Sequence, residues 1–318
     1  MISYKEALAL IANEANFQSS RRVDRNEALG LIAAADVVAQ LDVPSFDNSA
    51  MDGFALHAIK TVDTNRQTPN RFKVSHCLAA GDVLDSADQT LAVEIMTGAK
   101  MPSGFDAVIP IEKVNTITNE NGETVEIEIN APLQIGDNVR YAGEDFKSGQ
   151  IIATKGTRLH AGHIAAMAAT GIHEVTVFNM PEIEIFTTGK EVSDAYHVPL
   201  KDGEIYNSNT PYLLCQFKAS GIPAMYMGSI GDDEQAFVDT LNVSTDARIV
   251  ISSGAVSMGK WDFIPDLLKK NGARIIFHGV GIKPGKPILF AVLKDGRYYF
   301  GLPGNPVSTA VGLRFFIQ

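Results

Sequence analysis

The second half of the chain alternates short apolar segments with longer amphipathic segments, and this alternation limits the possible folds. Predicted strands cover 182–189, 224–230 and 248–252, and a predicted hairpin joins two further strands at 294–296. Predicted helices cover 209–221, 232–241, 262–270 and 303–316. Repeated strand-loop-helix units form a largely parallel sheet with helices on both faces. We therefore predict a doubly wound, mostly parallel α/β domain over residues 176–318, with ligands beyond the carboxyl ends of its strands.

The first half of the chain has a different pattern. Ser3 and Glu6 have the spacing of a capping box, so a helix is predicted at the start. Residues 107–114 and 124–129, with the turn 119–122 between them, indicate antiparallel strands, and 158–171 is a predicted helix. We predict an inserted small β domain over 44–137, and an elongated segment of helix and strand formed by 1–43 and 138–175.

Composition excludes several classes of protein. The formal net charge of the 318 residues is −10, which disfavours nucleic acid and anionic membranes as partners. Cys77 and Cys215 are far apart and form no CxxC pair, so neither a disulfide scaffold nor a zinc site is indicated. The sequence starts without a signal-peptide pattern and has no apolar segment long enough to span a membrane. We expect a reduced, cytoplasmic protein.

The loop "SSGAVSMGKWD" (252–262) follows a predicted buried strand and opens a predicted helix. Its small residues allow a ligand to approach the backbone, and a helix N-terminus favours anions. Ser253, Gly254 and Ser257 are therefore candidate ligand contacts. An ordinary turn after a strand has the same pattern, and Asp262 also suits a simple helix cap. Trp261 is either a core residue or part of a pocket wall.

Two further turns are candidates for binding an anion. "GIKPGKP" (281–287) carries Lys283 and Lys286, which could hold a phosphate or an oxyanion as point charges. A solvated surface turn is the alternative. "GLPGNPVS" (301–308), which includes Pro303 and Asn305, is a tight turn at a predicted helix start, and turn geometry alone would explain it.

Candidate carboxylates are spread along the chain. They could hold Mg²⁺, which prefers oxygen ligands and often bridges a protein to phosphate, or they could be surface acids and caps; the five are Asp52, Asp145, Glu191, Asp232 and Asp262. His160 and His163 lack the spacing of a zinc-protease motif and are expected to be ordinary helix residues.

Eight motifs occur in one order along nearly the whole chain: "PSFDNSAMDGFA", "IMTGAKMP", "AGED", "TTGKEV", "GEIYNSN", "SSGAVSMGKWD", "IKPGKP" and "GLPGNPVS". Each motif is weak alone, but the ordered set is specific. The sequence resembles the molybdopterin molybdenumtransferases, the molybdenum insertases of molybdenum cofactor synthesis, and the related E domain of gephyrin.

The resemblance implies an enzyme that inserts molybdate into adenylylated molybdopterin and releases AMP with the help of Mg²⁺. It also implies a homodimer with an active site shared between subunits, in which the loop 43–55, anchored by Phe46, Met51 and Phe54, presents Asp52 to the partner's cleft. A molybdopterin adenylyltransferase is the implied upstream partner. The implied catalytic residues are Asp52, Asp145, Glu191 and Asp262; the implied metal ligands are Glu191, Asp232 and Asp262; the implied substrate-binding residues are Thr97, Ser253, Gly254, Ser257, Lys283, Lys286, Pro303 and Asn305.

Four positions depart from the family pattern. Lys190 and Asn207 stand where acids are common, Ala255 replaces a loop glycine, and Gly279 stands where a base is frequent. These departures favour one alternative function, a binding or scaffold protein of the same fold. An adenylyltransferase-like enzyme is a second alternative. The last predicted helix has no terminator, and we expect the C-terminal β domain of the family to be absent from this chain.

Overall fold

The computed structural model describes residues 1–16, 18–243, 247–254, 256 and 263–317. Its contacts divide the chain into two units. We call residues 22–177 the β unit, and residues 1–21 with 178–318 the α/β unit. The three-part domain division predicted from the sequence is finer than these two units and stays a prediction.

The helices in chain order are α1 (Tyr4–Glu14), α2 (Ala161–Ala169), α3 (Asn209–Ala219), α4 (Glu234–Val243), α5 (Ile264–Lys270) and α6 (Pro306–Gly312), which continues as a π-helical turn over Leu313–Ile317. Short 3₁₀ turns cover Arg25–Ala28, Ala58–Thr61 and Ile111–Lys113. The strands through the β unit are β1 (Ser20–Asp24), β2 (Val37–Val38), β3 (Asn48–Ser49), β4 (Gly53–Leu56), β5 (Asn70–Leu78), β6 (Ala92–Ile95), β7 (Ala107–Pro110), β8 (Asn115–Thr118), β9 (Thr124–Ile129), β10 (Val139–Arg140), β11 (Ile151–Ala153) and β12 (Glu174–Phe178). Those of the α/β unit are β13 (Ile183–Thr187), β14 (Val192–Ser193), β15 (Ile205–Tyr206), β16 (Ala224–Ser229), β17 (Ile249–Ser253), β18 (Arg274–His278), β19 (Leu289–Val292) and β20 (Tyr298–Leu302).

A six-stranded sheet forms the centre of the α/β unit. Its strand order is β16-β13-β17-β20-β19-β18. The first four strands are parallel, and β19 and β18 complete the sheet as antiparallel strands. The predicted α/β fold with a mostly parallel sheet is confirmed, including the hairpin between β19 and β20.

Adjacent residues of the central strands contribute to two different cores, as the period of a strand requires. Ile185 and Phe300 lie in the core shared with α1, α3 and α6, whereas Phe186 and Tyr299 lie in the core shared with α4 and α5. Because both faces are covered, the central strands are buried at nearly every position, including the polar residues Glu184, Ser252 and Ser253.

Helix α1 packs into the α/β unit, although the sequence division grouped residues 1–43 with the elongated segment. The predicted capping box of Ser3 and Glu6 is present. Tyr4 contacts the rings of Phe315 and Phe316 edge-on, with centroids 5.7 and 5.6 Å away. These aromatic contacts place the helix with the α/β unit, because they bury its apolar face against the last turns of the chain.

The β unit contains a second six-stranded sheet, with the strand order β7-β4-β6-β5-β9-β8. All of its neighbouring strands are antiparallel except β5 and β6. The predicted strand 124–129 is confirmed as β9, but its antiparallel partner across the turn 119–122 is β8. The predicted strand 107–114 is shorter: 107–110 form β7, which pairs with β4, and a 3₁₀ turn follows. Phe54 and Ala55 face opposite cores of this sheet, and both are fully buried.

The remainder of the β unit surrounds α2. Paired strands β1 with β12, β2 with β11, and β3 with β10 accompany a separate apolar core that includes Met167. Gly171 follows α2 with a φ of +82°, as predicted for a glycine that ends a helix. Within the described part of the chain, no helix combines the length and the apolar composition that a membrane span requires.

Two histidines cap α2. His160 Nδ1 accepts a hydrogen bond from the Gly162 N–H, and His163 Nδ1 accepts one from the His160 N–H. The two rings have centroids 3.8 Å apart. Burial, with a smaller contribution from His160, lowers the pKa of His163. Because each Nδ1 accepts a hydrogen bond, both imidazoles must be neutral for the cap to form.

We expect acid to destabilise α2 through this cap. The unfolded His163 protonates near a pKa of about 6.5, and the folded pKa is lower, so the stabilisation is complete above that value and is lost as the pH falls from there through the folded pKa. The expected loss is about 1 kcal/mol, which is typical for a missing N-cap. Urea unfolding at pH 7.5 and 5.5, with hydrogen exchange at 161–164, measures it. His163→Gln keeps an acceptor at this capping-box position and should reduce the pH dependence of the free energy of unfolding. If that pH dependence is undiminished, the cap by His163 is not its cause.

Candidate active site

A cleft of about 530 Å³ opens at the carboxyl ends of the parallel strands of the α/β unit. This edge of the sheet is where ligands bind in doubly wound folds, and the volume is within the usual range for small-molecule sites. The described residues lining it are Thr187, Thr188, Gly189, Glu191, Val192, Ile205, Tyr206, Asn207, Ser208, Asn209, Asp232, Ser253, Gly254, Gly304, Asn305 and Pro306.

The backbone around Gly254 shapes the floor of the cleft. Gly254 has a φ of +108°, and its N–H donates to the Leu302 carbonyl over 3.0 Å. A Cβ at this position would lie 2.4 Å from the Thr188 carbonyl oxygen. Both the dihedral and the close approach therefore require glycine.

Asn209, the first residue of α3, has a fixed orientation in the cleft. Its Nδ2 donates to Ser253 Oγ over 2.7 Å and to the Gly304 carbonyl over 2.8 Å. The carbonyl can only accept, so these bonds determine which end of the amide is nitrogen. The opposite atom, Oδ1, is buried and has no described donor. An unpartnered buried acceptor is costly and is therefore a candidate ligand contact.

The predicted acids are divided between the two units. Glu191 and Asp232 both line the cleft. The Glu191 carboxylate lies close to Gly189, where a Cβ would approach Glu191 Oε1 to 2.9 Å. Asp262 and Ser257, together with Trp261 and Ala255, lie outside the described residues.

These two cleft carboxylates suit Mg²⁺ better than a metal that needs an all-protein site. In the described ranges, no three His, Cys, Asp or Glu side chains cluster to hold a metal ion. Mg²⁺ is usually held by one or two carboxylates together with water and substrate phosphates. Glu191 and Asp232 match that donor set.

The structure pairs Asp52 with Thr97 inside the β unit. Asp52 Oδ1 accepts hydrogen bonds from the Thr97 N–H over 2.7 Å and from the Thr97 hydroxyl over 2.8 Å. These bonds, the backbone bond first, lower the pKa of Asp52. Asp52 is therefore an exposed, ionised carboxylate with a fixed direction.

The loop that carries Asp52 is anchored differently from the prediction. Phe54 is fully buried in β4, but Phe46 and Met51 are each 40% exposed. Their role as anchors was a wrong prediction. The polar residues of the loop hold its shape instead: Ser49 Oγ donates to the Met51 carbonyl over 2.6 Å, and Asp47 Oδ1 accepts the Ala142 N–H over 2.8 Å.

The other predicted residues have varied surroundings. Asp145 accepts a hydrogen bond of 2.7 Å from Arg140 Nη2 in the β unit, and this bond raises the pKa of Arg140. In the α/β unit, Ser253 and Asn305 line the cleft, and Asn305 caps α6. Lys283 and Lys286 are exposed and Pro303 is buried, and none of the three is among the described lining residues.

Sequence reasoning missed Asn209, Thr187 and Gly304 as cleft residues. Their positions in the sequence could have identified two of them. Thr187 is the last residue of β13, and Asn209 is the first residue of α3, at the end of the quoted motif "GEIYNSN". The residues that bind substrate stay a prediction.

Two family models match this chain. Residues 2–171 match the model described as the MoeA N-terminal region (domain I and II), and residues 184–318 match the model described as a probable molybdopterin binding domain. Together they cover nearly the whole chain.

Curated relatives and solved structures agree with these matches. The chain is similar to proteins named molybdopterin molybdenumtransferase from Staphylococcus aureus (33% identical over 100% of this chain and 74% of the relative) and Synechococcus elongatus (34%, 100% and 79%). The relative from Bacillus subtilis is 35% identical over 92% of this chain and 67% of its own length. A crystal structure of molybdopterin biosynthesis MoeA protein from Pyrococcus horikoshii covers 100% of this chain with a TM-score of 0.83 at 29% identity, and the chain spans 77% of it.

Substituting two of the cleft glycines, Gly254 and Gly304, should change the stability of the protein by different amounts. Gly254→Ala places a Cβ against Thr188 at a positive φ, and we expect it to lower the free energy of unfolding by about 1–3 kcal/mol. In Gly304→Ala the nearest atom to the new Cβ is Gly254 Cα at 3.7 Å, so the change should stay within about 0.5 kcal/mol. Chemical denaturation of both variants measures the difference. Equal stability of the two variants would show that the close approach at Gly254 is not a constraint.

Proposed function

Because this chain belongs to the MoeA family of molybdopterin molybdenumtransferases, enzymes of molybdenum cofactor biosynthesis, we propose that it inserts molybdate into adenylylated molybdopterin and releases AMP in the cytoplasm. The observation that carries the proposal is the cleft at the carboxyl ends of β13 and β17, within the region that matches a molybdopterin-binding model. Its polar floor and two acidic side chains suit a substrate with phosphates and a bound cation.

The cleft residues would have distinct roles in this reaction. The small residues Ser253, Gly254 and Gly304 leave room for substrate atoms to approach the backbone. Glu191 and Asp232 would hold Mg²⁺, which neutralises phosphate charge and allows acidic side chains to face an anionic substrate. Predicted contacts of Lys283 and Lys286 with substrate anions remain part of the proposal.

Asp52 would act from a second subunit. Support comes from its fixed, ionised carboxylate, which is already formed within the β unit by Thr97. We propose a homodimer in which this group enters the partner's cleft, and a molybdopterin adenylyltransferase as the upstream source of substrate.

The direct test is AMP release by the purified chain from adenylylated molybdopterin. We expect release to require both molybdate and Mg²⁺, and to fall strongly in Glu191→Gln, because a carboxamide is a poorer Mg²⁺ ligand than a carboxylate. Substrate binding without release would indicate the scaffold alternative. Consumption of ATP with free molybdopterin would indicate the adenylyltransferase alternative.

Mixed dimers test the shared site. Asp52→Asn and Glu191→Gln should each fold normally, because exposed changes usually alter stability by less than about 0.5 kcal/mol, and each should be nearly inactive. After mixing and subunit exchange, one site of each heterodimer contains both native groups, so part of the wild-type activity should return. Mass spectrometry of tagged subunits confirms the exchange. Full exchange without recovered activity would place both groups in one chain's site.

A further inference from the structure

Asp194, an exposed residue of the loop between β14 and β15, connects to two residues of the cleft through a network of hydrogen bonds. Its Oδ1 accepts a bond of 2.8 Å from Asn207 Nδ2, and its Oδ2 accepts a bond of 2.7 Å from the Tyr226 hydroxyl. The Tyr226 oxygen lies 2.9 Å from Thr187 Oγ1. Asn207 and Thr187 line the cleft, whereas Asp194 is exposed and is not among the described lining residues.

The charge on Asp194 fixes the direction of this network. An ionised carboxylate only accepts hydrogen bonds, so Tyr226 must donate its single proton to Asp194. Burial is the main cause that raises the pKa of Tyr226 to about 12, so the hydroxyl keeps its proton. Thr187 must then donate to Tyr226, because Tyr226 has no proton left to give. The Thr187 hydroxyl also accepts a bond of 3.4 Å from Asn207 Nδ2, so it has no proton and one remaining lone pair to offer a ligand.

The same network holds one wall of the cleft. Asn207 Oδ1 accepts the Thr210 N–H over 3.1 Å at the start of α3, while its amide nitrogen is directed to Asp194. The Tyr196 hydroxyl donates to the Asn207 carbonyl over 2.7 Å. Residues 205–209, all of which line the cleft, are thus held on both sides of position 207.

Asn209 supplies a second acceptor nearby. Thr187 and Ser253 are register partners on adjacent parallel strands, and Asn209 Nδ2 bonds to Ser253 Oγ. Asn209 is 9% exposed, and its Oδ1 has no described donor. Two acceptors on one part of the floor favour a ligand that donates hydrogen bonds and disfavour an oxyanion, which only accepts.

We propose that Asp194 is a positioning residue that makes this part of the cleft floor an acceptor surface for the N–H groups of the pterin ring. This assignment rests on the proposed function. A pterin carries amide and amino N–H donors along one edge, and such a site rejects groups that leave its acceptors unpaired. The phosphates and molybdate would then lie elsewhere in the cleft.

A charge exchange tests the role of Asp194. Asp194→Asn removes the carboxylate of this pair. Asn207→Asp places a second carboxylate opposite Asp194, where Asn207 Nδ2 and Asp194 Oδ1 are 2.8 Å apart in the wild type. Each single variant should lower kcat/KM roughly 10- to 100-fold, mainly through KM, as expected for a hydrogen bond to a charged group. The double variant Asp194→Asn/Asn207→Asp again has one carboxylate facing one amide. Its kcat/KM should return to within about threefold of the wild type, because the losses caused by the two single substitutions cancel only if the two side chains interact.

Matched variants separate this role from a general effect on folding. Asp202→Asn removes an exposed acid from the same loop and should leave KM unchanged. Tyr226→Phe keeps the ring, removes the link to Thr187, and should raise KM. Thermal unfolding of every variant identifies those that are simply unstable. A double variant as impaired as the single variants, or an Asp194→Asn variant indistinguishable from Asp202→Asn, would overturn the proposal.

Direct binding keeps the test independent of turnover. The fluorescence of 6-hydroxymethylpterin reports pterin binding. Competition of AMP with adenylylated molybdopterin reports nucleotide binding. Asp194→Asn should weaken binding of the pterin and not of AMP, and the double variant should restore it. Weakened AMP binding with unchanged pterin binding would assign the floor to the nucleotide and overturn the inference. If the wild type binds the pterin in this way but releases no AMP, the proposed reaction fails and the pterin subsite stands.

Discussion

The cleft depends on one close approach of two backbones, that of Gly254 to Thr188. Three parallel strands end side by side here, and backbone hydrogen bonds continue past their ends: the Thr188 N–H donates to the Ser253 carbonyl, and the Gly254 N–H donates to the Leu302 carbonyl. A side chain at 254 would clash with Thr188 and push β13 and β17 apart. The described floor of the cleft is therefore an extension of the sheet, between the two buried cores on its faces.

Two of the departures from the predicted family pattern have local structural surroundings of their own. Asn207 is an amide at a position where the resemblance predicts an acid. The nearby carboxylate belongs to Asp194, which accepts a hydrogen bond from the side-chain amide Nδ2 of Asn207. The local charge is thus kept while its position changes. Gly279, in place of a frequent base, has a φ of +94°, a conformation that favours glycine over any residue with a side chain.

The fold was predictable because periodicity reports which faces are buried. Repeated strand-loop-helix units predicted a parallel sheet covered on both faces, and the alternation of residues 124–129 predicted the strand β9. The site was only partly predictable. Apolar residues were expected to anchor the 43–55 loop, yet Phe46 and Met51 are exposed. The loop instead contains a hydrogen bond that Ser49 donates and one that Asp47 accepts, and apolar periodicity gives no signal for either. Contacts such as Asp194 to Tyr226 join residues 32 positions apart, and a single sequence contains no signal for them.

The two groups of candidate site residues are each complete within their own unit. Asp52 is oriented by Thr97 inside the β unit, and Asn209 is oriented by Ser253 and Gly304 inside the α/β unit. Within the described residues, the hydrogen bonds that orient each group come from its own unit. This arrangement favours preorganisation, because the side chains are ordered by folding and their entropy is not lost again on binding. It also means that loss of one group leaves the geometry of the other intact, since residues without shared partners behave independently.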